Sequence, residues 1–271
     1  MRAEYIDQDQ PRSGSNELAV GEVPKHDDEV ETKNRNVLAT VDYAYDDRWG
    51  VTATLPVVDR DHLHIHNHMG NKIPESWDFT KIGDARVMGR YQWRNENPEN
   101  TSLGHFGVNF GVKLPTGDIH ERNADGDLAE RTLQPGTGST DVLLGAYFSK
   151  VMAADRFALF VNGLMQHPVD TRDDFEPGNR FTVDAGYRYE ASEKIGLMLQ
   201  LNALVTEKDS GSEAESDDSG GRSVYLSPGV SFAITQNVQV YGFFQQPIYQ
   251  YVNGVQLTAD WSVASGVSVR F

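Results

Sequence analysis

The segment LGHFGVNFGVKL, residues 103–114, decides the fold. Phe106, Val108, Phe110, Val112 and Leu114 occupy every second position, with His105, Gly107, Asn109, Gly111 and Lys113 between them. Successive side chains of a strand point to opposite faces, so this is a strand with one apolar and one polar side. The pattern recurs in both directions along the chain. In 180–190, Phe181, Val183, Ala185, Tyr187 and Tyr189 alternate with Arg180, Thr182, Asp184, Gly186, Arg188 and Glu190. In 84–94, Ala85, Val87, Gly89, Tyr91 and Trp93 alternate with Asp84, Arg86, Met88, Arg90, Gln92 and Arg94. Similar runs occupy 37–45, 49–57, 142–148, 195–205 and 224–234.

A soluble sandwich also alternates, but two features point to a transmembrane antiparallel up-and-down β-barrel. The polar face is dense in small residues and in charges of both signs, as a barrel lumen requires. The connections also alternate in length. Short turns fall at Asp46–Asp47, Ala153–Ala154, Ala191–Glu193 and Thr235–Asn237, and long polar loops at about 10–35, 59–77, 116–137, 168–177, 207–221 and 248–256. Short periplasmic turns opposite long extracellular loops are the outer-membrane pattern. No run approaches the roughly 18 apolar residues of a membrane helix. The mean hydropathy of −0.52 fits a barrel, whose alternating strands average out as polar.

The expected strands are 1–9, 36–46, 48–58, 78–94, 102–115, 138–151, 155–167, 178–190, 194–206, 222–234, 237–247 and 257–271. That is about twelve; ten or fourteen would keep the same even parity. They form one domain, residues 1–271, placed in the bacterial outer membrane among its lipid and lipopolysaccharide. No signal segment follows Met1, and the chain is read as a mature form from which a signal has been removed. The closing stretch WSVASGVSVRF resembles the last strand of outer-membrane barrels, which ends in an aromatic residue that assembly machinery recognises. A formal charge of −16 argues against nucleic acid as a partner, and the absence of cysteine excludes disulfides and thiolate metal sites.

Four segments carry a family resemblance: GDARVMGRYQW (83–93), GVKLPTG (111–117), LQPGTGSTDVLLGAYFSK (133–150) and VNGVQLTADWSVASGVSVRF (252–271). From about residue 80 onward the chain resembles the outer-membrane barrels named after phenol meta-pathway degradation operons. The resemblance implies a barrel and transport. It supplies no substrate and no catalytic residue, and the histidine-rich segments lie outside its pattern. In LPTG and PGTG the proline and glycine also read simply as strand ends and turns.

One stretch stands apart. RDHLHIHNHMGN, residues 60–71, places His62, His64, His66 and His68 at every second position in a chain with eight histidines. On the barrel topology it lies in the second long loop. If it continues the strand ending near Val58, the four share one face, with Leu63, Ile65 and Asn67 opposite. Neighbouring side chains on that face would stand roughly 6.5–7 Å apart, close enough to lean onto one ion. Neutral imidazole suits Zn or Cu. His26 and His120 map to the same end and join the candidate metal ligands, with Asp27, Asp28, Glu29, Asp59 and Asp61 as ligands or orienting acceptors. Two other readings stay open: a solvated polar tract, and a lid that opens as the histidines protonate near pH 6.5. NADGDLAE (123–130) sets Asp125 and Asp127 around Gly126, and the Ser/Gly-rich acidic run at 207–221 reads as a mobile solvated loop; both are candidate Ca contacts.

The inward row holds Asp42, Asp84, Arg86, Arg90, Arg94, Lys113, Asp141, Asp184, Arg188, Asp260 and Arg270. Arg86, Arg90 and Arg94 would form a ladder along one inner wall, guiding anions or pairing with Asp84 and Asp184. Twelve strands lie between a filled barrel and an aqueous channel. The leading reading is a channel or transporter for small solutes or ions with a metal-binding mouth. The alternative is an anchor whose long acidic loops dock an extracellular protein partner. No G-x-S-x-G and no Ser–His–acid set speaks for an enzyme.

Overall fold

The structure, a computed structural model, describes residues 1–23, 28–68, 71–93, 104–152 and 156–271, with the backbone alone at His68. The strands are β1 (Arg2–Gly14), β2 (Asn16–Glu17), β3 (Asp28–Ala44), β4 (Trp49–His68), β5 (Asn71–Ile82), β6 (Arg86–Trp93), β7 (His105–Lys113), β8 (Thr140–Met152), β9 (Phe157–Asp170), β10 (Arg180–Glu190), β11 (Ile195–Thr206), β12 (Gly221–Ala233) and β13 (Val238–Val269). All pair antiparallel in chain order and close where β13 meets β1; of the described strands, β2 and β5 stand outside the ring.

Direction settles the strand number. β12 pairs with Gln239–Val252 of β13, and β1 pairs with Val252–Gly266 of the same element, both antiparallel. Eleven staves crossed once each would bring two parallel strands together at the seam, so β13 must reverse. A straight strand of its 32 residues would also run about 105 Å, several membrane thicknesses. The reversal lies at Gly254, whose φ of 53° favours glycine, and where Asp218 Oδ1 accepts the Val255 N–H at 2.8 Å. Past it the chain runs back along itself: Phe244 stacks on Trp261, and Ser262 Oγ donates to Gln245 at 3.0 Å. With β13 counted twice, the described strands make twelve crossings, consistent with the about twelve expected.

The outward rows are apolar and exposed, Leu144, Val161, Val183, Leu201 and Val230 among them. Near the short-turn end aromatic rings interlock along the outside, Trp49 with Tyr91, Tyr91 with Trp93, Trp93 with Phe106 and Phe157 with Tyr189. Higher on the wall, Trp261 packs against Tyr5 and Phe244. An apolar band between aromatic girdles is a lipid-facing surface, and ring closure leaves it no unpaired backbone edge.

The outer end corrects four expectations. Residues 59–77 are not a loop: β4 continues unbroken to His68 and pairs with β5 from Val57↔Ile82 to His68↔Asn71. Residues 78–94 are not one strand. β5 pairs only with the outer part of β4, and after a break at 83–85 β6 takes up the inner part, Trp49↔Tyr91 to Thr54↔Arg86. β1 and β3 likewise run well into 10–35, so β3, β4 and β5 form a three-stranded sheet rising beyond the barrel. Nor is 207–221 a free loop. Asp209 accepts the Gly178 N–H at 2.7 Å, Ser219 is buried, and the segment holds a turn of 3₁₀ helix at Ser216–Asp218.

Candidate functional site

The face of the β3–β4–β5 sheet turned toward the barrel axis is covered by the segment joining β7 to β8. Trp77 and Phe79 of β5 form a buried apolar cluster with Ala129 and Leu133 of that segment. Trp77 Nε1 donates to the Asp127 carbonyl at 3.1 Å, and Arg60 donates to the Thr132 and Leu133 carbonyls at 3.1 and 2.6 Å. The connection is therefore a packed cover over the mouth.

His62 and His64 lie beneath it, 1% and 5% exposed. Register explains their company. Thr32, His62 and Trp77 form one row across the three strands, and Glu29, His64 and Glu75 form the next. The second row depends on a bulge between Glu29 and Glu31. Without the extra residue Val30 would face His64; with it, Glu29 does. His62 Nε2 lies 3.4 Å from His64 Nδ1, Thr32 Oγ1 2.7 Å from His62 Nδ1, and Glu75 Oε2 3.2 Å from His64 Nε2. Glu130 Oε1 of the cover approaches His64 Nδ1 at 3.8 Å. The Trp77 ring stands 5.8 and 5.0 Å from the two imidazoles.

With both rings neutral, one proton arrangement satisfies this chain. The Thr32 hydroxyl donates to His62 Nδ1, His62 Nε2–H donates to His64 Nδ1, and His64 Nε2–H donates to the Glu75 carboxylate. Burial, with His64 and Arg60 adding to it, pushes the His62 imidazole down to about 3. A lid opened by protonation near pH 6.5 is thus not what His62 supplies.

The other expected ligands part company. His66 shares the face one step farther out, opposite Ile73, and His68 stands in register with Asn71. His26 lies outside the described residues. His120 is exposed, 3.8 Å from Asp118 and from Asp173, away from the paired histidines. Among the described residues, one group of three His, Asp or Glu side chains converges within ligand range: Glu29, His62 and His64, with one ligand atom of each within 4.8 Å of the others. Asp125 and Asp127 are outside it, their N–H groups both donating to Asn123 Oδ1 in a tight turn at Gly126.

Two cavities lie in series along the interior. The outer one, about 410 Å³, has Glu29, His62 and Glu130 on one wall and Gln250 and Thr258 on another. The inner one, about 670 Å³, is lined by Arg2, Glu4, Arg180, Asp184 and Asn202. Leu204 and Tyr225 line both, where the two cavities adjoin.

The inward charges pair differently from expectation. Arg90 binds Asp42 at 3.0 Å, Arg188 binds Glu190 at 2.6 Å, and Asp184 accepts from Asn202 Nδ2 at 2.7 Å. Asp84 does not face the arginines. It accepts from Lys113 at 3.1 Å and from the Gly117 and Thr137 N–H groups at 3.0 and 2.9 Å. Arg86 stands opposite Lys113 and Thr54 in the register, and Arg94 lies outside the described residues. Lys113 also meets Asp141 at 3.1 Å, and Thr137 and Ser139 complete the knot. Asp260 and Arg270 are exposed, near the register shift of the last strand and beyond its end.

Sequence reasoning named Glu29 only as one acid among several and missed Glu75 and Glu130 as companions of the histidines. The signal present was the alternation of His62, His64, His66 and His68 with Leu63, Ile65 and Asn67, which reads as a strand continuing the one expected at 48–58 and requires partners on either side.

Comparison with known proteins agrees with the geometry. A crystal structure of an outer membrane channel from Pseudomonas putida F1 superimposes with a TM-score of 0.71 at 15% identity, over 99% of this chain and 93% of that one, a likeness of fold. The KdgM porin and the NanC porin match with TM-scores of 0.48 at 8% and 11% identity, over 100% of this chain and 99% of each of theirs, too low to bear on the argument. Among curated proteins no sequence matches. The family model described as "Putative MetA-pathway of phenol degradation" matches residues 40–253, beginning well before residue 80, taking in the histidine hairpin and stopping short of the last strand. With most of its length so matched, the chain belongs to that family of outer-membrane barrels.

Proposed function

We propose that the protein is a channel for small solutes or ions, with transition-metal ligands at its outer mouth. The observation that carries this reading is the pair of cavities in series inside a closed wall, meeting at Leu204 and Tyr225. Charge favours cations at the entrance: Glu29, Glu130, Asp209, Glu215 and Asp218 line the outer cavity against Arg60 and Arg222. In the inner cavity Arg2 and Arg180 are balanced by Glu4 and Asp184. A ring of acid at a pore mouth selects for cations.

The test is single-channel recording of the refolded protein in a planar bilayer. Discrete steps with a reversal potential on the cation side under a salt gradient are expected, and Tyr225→Ala should enlarge them. A silent bilayer with a folded barrel would sink the channel reading and leave an anchor whose acidic outer segments dock an extracellular partner.

A further inference from the structure

We infer that a Zn²⁺ or Cu²⁺ ion binds between His62 Nε2 and His64 Nδ1 with the Glu29 carboxylate, and that Glu130 closes the shell so that the ion straps the cover to the β3–β4–β5 sheet. The donor spacing fits. Two ligands at Zn–N distances of 2.0–2.1 Å in a tetrahedron stand about 3.3 Å apart, and the two imidazole nitrogens stand 3.4 Å apart. One carboxylate oxygen of Glu29 lies within 4.8 Å of one ring nitrogen of each histidine, and Glu130 Oε1 is 3.8 Å from His64 Nδ1. Two imidazoles and two carboxylates form a borderline donor set, suited to these ions rather than to calcium.

The surroundings already orient such ligands. His64 presents Nε2 to Glu75 and Nδ1 to the site, the carboxylate–histidine–metal arrangement. Binding requires no net loss of a proton. The proton of His62 moves from Nε2 to Nδ1, the Thr32 hydroxyl turns from donor to acceptor, and the ion takes the place of the His62–His64 hydrogen bond. The bulge is the independent observation. One extra residue puts a carboxylate rather than an isopropyl group beside His64, and bulges are over-represented where a side chain is re-aimed at a site.

The site holds residues from two bodies: Glu29, His62 and His64 belong to the sheet, and Glu130 to the cover, whose Leu133 and Glu130 also wall the outer cavity. An ion there fixes the cover across the mouth. Only this last consequence rests on the channel reading; binding and strapping stand without it.

The experiment titrates Zn²⁺ and Cu²⁺ into the refolded full chain in detergent, with folding of every variant checked by heat-modifiable gel migration. One equivalent should bind, and Cu²⁺ should quench Trp77, whose ring lies beside both imidazoles. His64→Ala should abolish stoichiometric binding. Glu29→Gln, close to isosteric, should weaken it at least 10-fold if the alanine variant does not fold. Glu75→Gln should weaken it roughly 10- to 100-fold through the orienting hydrogen bond. His120→Ala should bind as the parent does. Zn²⁺ should slow amide exchange across 128–134 in the parent and not in Glu130→Gln. Failure of the parent to bind one equivalent, or unchanged binding by both His64→Ala and Glu29→Gln, would overturn the site. Binding without slowed exchange would overturn the strap. In the bilayer, strapping lowers the open probability of the parent; steps that Zn²⁺ leaves unaltered while exchange slows would overturn the control of the mouth alone.

Discussion

Lys113 and His62 are both almost wholly buried polar side chains, 2% and 1% exposed, and the same connection between β7 and β8 packs against each. Around Lys113 every element has its complement: one ammonium, two carboxylates at 3.1 Å, and the hydroxyls of Thr137 and Ser139. Around His62 and His64 three carboxylates, Glu29, Glu75 and Glu130, gather about two imidazoles. The first cluster is complete with the residues present and anchors both ends of the cover to the wall. The second brings three carboxylates and two imidazoles together, a donor set that a cation can use. A buried polar group tells little by itself; the balance of donors and acceptors about it separates an anchor from a receptor.

The comparison can be broken at the anchor first. Lys113→Met leaves Asp84 and Asp141 buried without their cation and should cost about 3–5 kcal/mol of unfolding free energy, read by urea titration of the refolded barrel. A loss below about 1 kcal/mol would mean that the carboxylates are satisfied by other groups and that the knot is not what holds the cover. Leu133→Ala removes a side chain from the cluster with Trp77, Phe79 and Ala129 and should cost about 2–3 kcal/mol. The loss should be local, seen as faster amide exchange in 128–134 while the wall strands stay protected. Uniform loosening of the wall would show that cover and barrel unfold as one unit.

The smallest expected effect concerns pH at the root of the outer sheet. Thr80 and then Arg35 hold the Asp59 carboxyl below the ordinary carboxylate range. A depressed folded value contributes stability that is complete above the unfolded value near 4 and is lost as pH falls through the folded one. Exchange in β5 should therefore quicken below about pH 4 in the parent, and Asp59→Asn should flatten that dependence. A slope that survives the substitution would assign it to another carboxylate.

The wall was legible in the sequence and the site only in part, for one physical reason. Lipid imposes a one-sided rule on every membrane residue, so Phe106 to Leu114 or Phe181 to Tyr189 announce their strand without reference to neighbours. Beyond the membrane that rule stops. Residues 59–68 keep the period of two but lose the apolar row, and Pro74 falls inside β5 where composition reads a break, so a strand pair resembles a polar loop. That the histidines share a face followed from spacing. That His62 and His64 are buried, while His120 stands elsewhere, follows from pairing with β5 and from the cover, both set by residues far along the chain. Glu29 was weighed only as one acid among several in the first loop, because a bulge is a property of pairing rather than of composition.

The seam carries a consequence in time. Every other contact in the ring joins strands adjacent in the chain, or separated only by the short β2 or the β5 arm, but the last joins Arg2 to Gly266. The first strand must therefore wait for almost the whole chain to be made before it finds its second partner. Until then an open sheet has two ragged edges of unpaired backbone, which hydrocarbon cannot accept and which invite pairing with other chains. Closure and entry into the bilayer are thus one event, and the slowest contact to form is the one on which membrane residence depends.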